Sequence, residues 1–280
     1  MELRYIATRA GRLSSFLREE MGMSAGLMNR LKWQDKLFVN GVARHTDYAV
    51  QPGDVITVPL EEPAPEYPAE PGELTVLYED DHILAVDKPA GMLIHPSRSR
   101  LTGTLANRVA AYYQATGQHC AFHPVTRLDR DTFGIVLLAK NSYAHAALQA
   151  TALDKIYHAR VLGGPDRDAG SIDAPIARKP LPSLLREVRP DGKPSLTEYR
   201  VLSRADGCAK LALRPITGRT HQLRVHCAHM GYPILGDPQY GSEESKMDLT
   251  SQLLCAYSLE FDHPMTGKHL ILVSKMDADY

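Results

Sequence analysis

The first 60 residues show a pattern of hydrophobic and polar positions that predicts two short helices followed by strands. Apolar residues recur at helical spacing from Arg12 to Met21, and the stretch from Leu27 to Leu31 predicts a second helix. The segment LFVNG, residues 37–41, predicts a strand that enters an Asn-Gly hairpin turn. A Pro-Gly turn then precedes an alternating strand from Asp54 to Val58.

The next segment predicts an extended linker, because it has the apolar period of neither a helix nor a strand. EEPAPEYPAEPG, residues 61–72, combines prolines with glutamates that repel one another. This composition favours a flexible acidic chain over a packed element. We therefore expect a small unit at residues 1–60, a linker at 61–72 and a larger domain at 73–280.

The larger domain mixes predicted strands and helices without strict alternation. Because a parallel sheet with crossover helices would alternate strictly, we predict an α+β fold around a large, mainly antiparallel mixed sheet flanked by helices. Strands are expected at residues 74–78, 83–86, 135–140, 155–163 and 208–216, and helices at 104–114, 142–151 and 221–230.

Composition and cysteine positions indicate a cytoplasmic protein with a packed core. Hydrophobic residues make up 44% of the chain, and no stretch approaches the roughly 18 apolar residues of a membrane helix. The N-terminus lacks the apolar core of a signal peptide. The cysteines lie far apart, at Cys120, Cys208, Cys227 and Cys255. This spacing argues against a disulfide framework and fits a reducing compartment.

Charge is distributed unevenly, although 32 basic and 33 acidic residues give a net charge of only −1. Acidic residues dominate residues 61–81, whereas basic residues dominate 98–160, and residues 210–231 contain no acid. Such segregation is compatible with a basic face for nucleic acid. It is equally compatible with charges that face different ways in the fold, so charge alone leaves both interpretations open.

The most unusual segment is HPVTRLDRDTFGIVLLAK, residues 123–140. It places Arg127, Asp129, Arg130 and Asp131 within five residues, directly ahead of a hydrophobic strand. A carboxylate that enters the interior there needs a cationic partner, since burial of a lone charge is costly. From the spacing alone, a structural loop with local caps and ion pairs is favoured over a reactive site.

The sequence RLDRDT-x-G in this segment resembles the catalytic loop of the RluA family of pseudouridine synthases. Three further segments resemble motifs of the same family in the same order: DKPAGMLIHP (87–96), KIYHARVLG (155–163) and TGRTHQLRVHCAHMGYPILGDPQYG (217–241). The resemblance implies a pseudouridine synthase fold and isomerisation of uridine to pseudouridine in structured RNA. Ribosomal RNA is the favoured substrate and transfer RNA an alternative, and the reaction needs no cofactor and no metal.

The N-terminal pattern, from about Gly11 to Val58, resembles the alpha-L RNA-binding module of a small-subunit ribosomal protein. The resemblance implies that basic residues of the helix pair contact RNA, with Arg12, Arg30 and Lys32 as candidates. The alternative is a small appendage that merely packs on the larger domain.

The family resemblance also implies the catalytic roles. Asp129 matches the essential aspartate that attacks the uridine, and Tyr157 matches the tyrosine that stacks on the flipped base. Arg224 matches the arginine that pairs with this aspartate; its own neighbourhood in the sequence contains no acid. Arg127 matches the arginine that fills the gap left by the extruded nucleotide.

Three further residues in matching segments are expected to contact RNA: Arg130, Lys155 and Arg219. Two residues depart from the family pattern. Thr126 stands where histidine is usual, and Phe133 stands where serine is usual. Both departures bear on substrate positioning more than on the nucleophile.

Two alternatives belong to other classes. One is an RNA-binding protein on the same fold that no longer catalyses. The other is a metal site in HQLRVHCAH, where His226 and His229 would share a helix face while His221 would diverge. No H-E-x-x-H pattern or comparable ligand set accompanies these histidines. We therefore expect no metal. We also expect a monomer without an obligate protein partner, because nothing in the sequence suggests an oligomer face.

Overall fold

The protein was analysed as a computed structural model, in which part of the predicted linker lies outside the described residues. The described residues are 2–60, 62, 67–97, 100–246 and 249–279. Within them, no helix is both long enough and apolar enough to cross a membrane.

The N-terminal unit is a small four-stranded sheet, in the order β1-β6-β3-β4, covered by short helices. A π-helical segment, Phe16–Glu20, directly continues the first helix. A two-stranded pairing of β2 with β5 lies beside it. The elements are β1 (Glu2–Ile6), β2 (Gly11–Arg12), α1 (Leu13–Ser15), α2 (Ala25–Trp33), β3 (Phe38–Val39), β4 (Val42–Ala43), β5 (Ala49–Val50) and β6 (Val55–Pro59).

The apolar period of this unit faces its core, as the sequence predicts. Leu13, Phe16 and Leu17 are fully buried in one cluster with residues of α2 and β6. The predicted Asn-Gly turn forms between β3 and β4, with φ of 52° at Asn40 and 76° at Gly41. Positive φ at both central residues is the geometry that a tight hairpin requires.

Within the predicted linker, residues 67–72 are hydrogen-bonded to the larger domain. The side chain of Asn107 donates to the Pro68 carbonyl at 2.8 Å, and the backbone N–H of Glu70 donates to the Asn107 carbonyl at 3.1 Å. A Glu70 carboxylate oxygen accepts from the backbone of Gly103 at 2.6 Å. Residues 67–72 therefore follow the domain surface.

The larger domain contains a ten-stranded sheet in the described part of the chain. Eight strands follow the order β12-β15-β16-β11-β17-β10-β8-β7, while β18 pairs with β17 and β9 with β10. The strands of the larger domain, of which β13 and β14 form a separate two-stranded sheet, are β7 (Thr75–Glu79), β8 (Ile83–Lys88), β9 (His123–Pro124), β10 (Phe133–Ala139), β11 (Asp154–Leu162), β12 (Ala169–Asp173), β13 (Ile176–Arg178), β14 (Arg186–Val188), β15 (Leu196–Ala205), β16 (Cys208–Pro215), β17 (Leu254–Asp262) and β18 (His269–Val273).

Helices flank this sheet, so the prediction of an α+β fold with a mainly antiparallel mixed sheet is confirmed. Strands β8 and β10 are buried along their whole length. Val136 belongs to a core cluster shared with α3, and the next residue, Leu137, belongs to a cluster shared with α4. The helices are α3 (Leu105–Ala115), α4 (Ser142–Ala150), α5 (Gln222–His229) and α6 (Glu243–Lys246).

The parallel pair in this sheet, β10 with β17, brings two backbones unusually close. Gly134 lies opposite Ala256 and has φ of 103°. A Cβ atom at position 134 would lie 2.4 Å from the Ala256 carbonyl oxygen. Only glycine fits this approach and tolerates this backbone conformation. The glycine of the RLDRDT-x-G motif is thus explained by strand packing.

A junction formed by Arg30, Glu62, His123 and Ser142 joins the N-terminal unit to the larger domain. The Glu62 carboxylate pairs with Arg30, contacts His123 Nε2 at 2.7 Å and accepts from the backbone N–H of Ser142 at 3.1 Å. Beside it, the Tyr143 hydroxyl donates to a backbone carbonyl of the N-terminal unit at 2.6 Å.

Candidate active site

The loop before β10 and the helix α5 bring Asp129 and Arg224 together. Arg224 Nη1 donates to Asp129 Oδ2 at 3.1 Å. The other two nitrogens of the guanidinium bind elsewhere: Nε and Nη2 donate to the Asp237 carboxylate at 2.7 and 2.8 Å, and Nη2 also donates to Gln239 at 2.9 Å. One arginine therefore holds two carboxylates in different ways, bidentate for Asp237 and through a single nitrogen for Asp129.

Asp237 is a residue that sequence reasoning missed, because it lies 13 positions beyond Arg224 in the chain. Its side chain is 1% exposed, whereas that of Asp129 is 33% exposed. Burial raises the pKa of Asp237, but hydrogen bonds from Arg224 outweigh it and leave the pKa below its ordinary value. The signal was present in the motif LGDPQYG, since a buried arginine needs a carboxylate partner.

His221 and Tyr240 form a second line of contacts to the aspartate. The Tyr240 hydroxyl accepts from the backbone N–H of Arg186 at 2.8 Å and lies 2.8 Å from His221 Nδ1. His221 Nε2 lies 3.8 Å from Asp129 Oδ2. Burial lowers the pKa of His221 against the opposing charge of Asp129.

The backbone of His221 is itself unusual. It is the N-terminal capping residue of α5 and has φ of 57°, in the left-handed region. Strained backbone of this kind persists where surrounding contacts enforce it, and it concentrates at functional sites. Here the conformation directs the His221 ring between Tyr240 and Asp129.

Tyr157 reaches the site from the neighbouring strands. It lies opposite Ala256, which in turn lies opposite Gly134, so a row of three residues crosses β11, β17 and β10. Burial, reinforced by the charge of Asp129, raises the pKa of Tyr157 to about 12. Its hydroxyl has no hydrogen-bond partner among the described residues. The phenol is therefore protonated near neutral pH and free to donate.

Lys88 is hydrogen-bonded to the loop that carries Asp129. Its side chain is fully buried, and Nζ donates to two carbonyls of its own turn and to the Arg130 carbonyl at 2.9 Å. Burial lowers the pKa of Lys88 to about 8, against the opposing charges of Asp131 and Asp129. Lys88 thus ties the residue that follows Asp129 to the end of β8.

The expected RNA-contacting residues of the larger domain lie in different environments. Arg127 is exposed, and no hydrogen bond or ion pair engages it within the described ranges. Arg130 forms two hydrogen bonds of 2.9 Å with Asp131. Arg219 is exposed and donates to a backbone carbonyl at 3.1 Å. Lys155 lines a pocket beside α4, where burial lowers its pKa.

The three basic candidates of the N-terminal unit lie apart from Asp129 in the contact network. Arg12 is exposed and precedes α1. Lys32 lies over the ring of Trp33, with Nζ 5.8 Å from the ring centroid. Arg30 is engaged at the junction, where it pairs with Glu62 and donates to the Ser142 hydroxyl at 2.6 Å. RNA contact by these residues stays a prediction.

The two departures from the family pattern both have structural roles. The Thr126 hydroxyl accepts from the backbone N–H of Leu137 at 2.9 Å and thereby ties the loop to β10. Phe133 packs into a small cluster with Cys255 and Ala278. Among the described residues, neither side chain is hydrogen-bonded to Asp129.

The histidines considered for a metal lie in a hydrogen-bonded helix. His226 is fully buried, with Nδ1 2.9 Å from the Thr197 hydroxyl and Nε2 3.0 Å from the Ala174 carbonyl. Both ring nitrogens are therefore engaged in packing α5 against its neighbours. Within the described residues, no group of three or more His, Cys, Asp or Glu side chains has the geometry of a metal site.

The chain matches known proteins through this same region. Residues 82–229 match a family model described as RNA pseudouridylate synthase. An RNA pseudouridine synthase of Bacillus subtilis is 39% identical over 252 residues, which cover 87% of this chain and 83% of the relative. Ribosomal large subunit pseudouridine synthase D of Pseudomonas aeruginosa is 36% identical over 262 residues, with 88% and 82% covered.

A solved structure agrees with these relatives. Human RNA pseudouridylate synthase domain containing 1 superposes with a TM-score of 0.61 at 26% identity. The match covers 74% of this chain and 86% of the human one. The matched family region contains Asp129, Tyr157 and Arg224, and the relatives extend over most of the chain. The chain therefore belongs to the RluA family of RNA pseudouridine synthases.

Proposed function

We propose that this protein isomerises one or a few uridines of structured RNA to pseudouridine, with Asp129 as the nucleophile. The observation that supports this role best is the incomplete satisfaction of the Asp129 carboxylate. Arg224 and His221 both face Oδ2, while Oδ1 has no hydrogen-bond partner among the described residues. A positioned carboxylate with one unengaged oxygen is suited to attack.

Arg224 stabilises the negative charge of Asp129 while Asp237 fixes the guanidinium. Lysine has a single nitrogen and so would not reach both carboxylates, whereas the planar guanidinium does so with separate nitrogens. In the proposed reaction Asp129 forms a covalent bond to the uridine, the N1–C1′ glycosidic bond breaks and the base rotates. A C5–C1′ bond then forms, the bond to Asp129 breaks, and C5 loses its proton while N1 gains one. The same network then stabilises the carboxylate as it leaves.

Tyr157 is proposed to stack on the flipped uracil and to offer it a hydrogen bond. Its raised pKa keeps the phenol protonated, so it acts as a donor in the resting enzyme. Arg127 is proposed to occupy the place of the extruded nucleotide, which its exposure and lack of partners favour. Extrusion costs a few kcal/mol, and a side chain in the gap offsets part of this cost.

Ribosomal RNA is the proposed substrate, with transfer RNA as the alternative. The name of the Pseudomonas aeruginosa relative assigns that protein to the large ribosomal subunit. Residues 1–60 are proposed to act as an RNA-binding module, with 61–72 as its linker and 73–280 as the catalytic domain. Arg12 and Lys32 of the module, and Arg130, Lys155 and Arg219 of the catalytic domain, are proposed to bind phosphates.

We further propose that the protein acts in the cytoplasm as a monomer, without an obligate protein partner. In this arrangement, every catalytic group comes from a single chain. Asp129, Tyr157 and Arg224 are all held by contacts within that chain. Size measurement in solution by light scattering tests the monomer.

The test is a map of pseudouridine in cellular RNA from cells with and without the protein. Loss of one or a few sites is expected, with restoration by the wild type but not by Asp129→Asn. Restoration by Asp129→Asn would contradict the nucleophile. An unchanged map, together with RNA binding by the purified protein, would instead favour a non-catalytic RNA-binding protein on the same fold.

A further inference from the structure

Two exposed leucines project from the hairpin formed by β13 and β14. Leu181 is 78% exposed and Leu184 is 70% exposed, and both lie in the connecting segment 179–185. Exposure of two large apolar side chains in so short a segment is unfavourable in water unless a partner covers them. The hairpin forms a separate two-stranded sheet, and Ile176 at its base also forms an antiparallel bridge with Lys193.

The hairpin is tied directly to the active site. The backbone N–H of Arg186, at the start of β14, donates to the Tyr240 hydroxyl at 2.8 Å. The same hydroxyl contacts His221, whose other ring nitrogen faces Asp129. The two leucines therefore lie a few residues before Arg186 in the chain, and Arg186 is linked to Asp129 through Tyr240 and His221.

The connecting segment is internally braced. Its ends are closed by a hydrogen bond of 3.0 Å from the Lys179 backbone to the Leu185 carbonyl. Side chains of Arg178 and Arg186 donate to carbonyls within the segment, at 3.2 and 2.8 Å. Two prolines also restrict its backbone. Such a segment presents its side chains at low entropic cost.

Charge around the leucines indicates the chemistry of the partner. From Ala174 to Arg186 the chain has three basic residues, Arg178, Lys179 and Arg186, and no acid. Cations next to apolar side chains suit a partner that carries phosphates and flat apolar surfaces together. An acidic peptide or lipid lacks the flat apolar surfaces, whereas RNA carries both phosphates and the flat faces of its bases. Apolar side chains wedged between bases unstack them and hold them apart.

We propose that Leu181 and Leu184 form an apolar wedge that inserts between bases beside the target uridine and keeps the RNA open. This inference rests on the proposed function, since the RNA must be the substrate of Asp129. Arg178 and Lys179 bind the phosphates that flank the opened step. Arg127 lies in the loop before β10 and the wedge lies on the hairpin, so the two approach the RNA from separate elements.

The test compares the full-length wild type with the double variant Leu181→Ser and Leu184→Ser. The control variant is Ile271→Ser, which removes an apolar side chain of similar exposure, 61%, from β18. Two probes are used. One is an unmodified transcript of large-subunit ribosomal RNA folded in magnesium, and the other is the same transcript cut into short single-stranded fragments.

The double variant is expected to lose about tenfold or more of kcat/KM on the folded transcript, as two leucine contacts disappear. Its activity on the fragments should stay within about threefold, because they need no opening. Ile271→Ser should match the wild type on both probes. Equal loss on the two probes, or no loss on either, would overturn the wedge while leaving the proposed function intact.

A second measurement does not need turnover. The Asp129→Asn protein, with and without the two serines, is bound to the folded transcript and probed with dimethyl sulfate, which marks unpaired bases. New reactivity beside the bound site is expected only with the leucines present. Reactivity that is identical with and without them would overturn the wedge, even if the wild type proves inactive on every RNA.

Discussion

Two carboxylates of this protein, Asp129 in the active site and Glu62 at the junction, are each bound by an arginine, yet their surroundings differ. Glu62 is 8% exposed and is bound by Arg30, by His123 and by the backbone of Ser142. Burial opposes these hydrogen bonds, but together they lower the pKa of Glu62 to about 2. Asp129 is 33% exposed and keeps one oxygen without a partner in the described residues.

The difference separates a structural carboxylate from one available for chemistry. Donors on both oxygens of Glu62 hold it in one position and leave no lone pair directed at a substrate. At the active site, Asp237 accepts hydrogen bonds from Nε and Nη2 of Arg224 and thereby fixes the guanidinium. Only Nη1 donates to Asp129. In the proposed mechanism, the reactivity of Asp129 comes from its unengaged oxygen, and the rigidity of Arg224 comes from its bidentate contact with Asp237.

Replacement of Asp129 by asparagine should have the largest effect. Turnover is expected to fall by at least about 10³-fold, since the amide has no nucleophilic carboxylate oxygen. Stability should change by less than about 1 kcal/mol, because Arg224 keeps its bidentate partner. Single-turnover assays and denaturant unfolding measure the two quantities. Asp131→Asn is the control and should retain turnover within a few-fold; comparable losses in both variants would contradict the special role of Asp129.

Replacement of Asp237 by asparagine should damage both stability and activity. A buried arginine left without its carboxylate costs about 3 kcal/mol or more of unfolding free energy. Turnover should drop by about tenfold or more, because the guanidinium loses its orientation toward Asp129. Urea unfolding and turnover of the same preparations test this. An unchanged unfolding midpoint would show that Asp237 does not fix Arg224.

Replacement of Glu62 by glutamine should weaken only the junction. The carboxylate is more acidic in the folded state than in the unfolded state, so its contribution is complete above about pH 4.5 and is lost as the pH falls toward 2. At pH 7 we expect a loss of about 2–3 kcal/mol. The difference in melting temperature between the wild type and Glu62→Gln should shrink below pH 4.5. Glu73→Gln, at an exposed position, is the control. A pH-independent difference would contradict this assignment.

The smallest effect is expected for the double variant Arg12→Ala and Lys32→Ala in the N-terminal unit. Loss of two phosphate contacts should weaken RNA binding about three- to tenfold and lower the salt dependence of binding by about two ion equivalents. Trp33, the only tryptophan of the chain, is 83% exposed beside Lys32, so its fluorescence reports binding. Arg167→Ala is the matched control. Unchanged salt dependence would remove the N-terminal unit from the RNA interface.

The elements that the sequence predicts well are those with a strong local signal. Helix α3 has an apolar face and is capped by Thr104, whose hydroxyl accepts from the backbone N–H of Asn107 in a capping box. Strands β1 and β15 were missed. β1 alternates but spans only five residues, and β15 carries exposed residues along much of its length, which hides its apolar face. Their pairing with β6 and β16 is a long-range property that the local pattern does not contain.

The candidate active site likewise contains residues that the sequence indicated and residues that it did not. The resemblance to the family motifs indicated Asp129, Tyr157 and Arg224, and the fold brings these segments together. The resemblance did not indicate that the guanidinium of Arg224 would bind Asp237, since side-chain pairing between a helix and a later loop depends on packing. Nor did it indicate that Lys88 would be buried against carbonyls alone. The residues behind the reactive groups are the ones that only a structure shows.

The row of Gly134, Ala256 and Tyr157 across three strands has a consequence for the tolerance of the enzyme to change. Neighbouring strands lie about 4.8 Å apart, so the backbones at the two ends of the row are separated by about two such spacings. The loop that carries Asp129 enters at one end, and the phenol stands at the other. The sheet thus sets the distance between Asp129, the proposed nucleophile, and the phenol of Tyr157. A methyl group at position 134 would push β10 away from β17 and so increase the distance between Asp129 and Tyr157, although it would contact neither side chain.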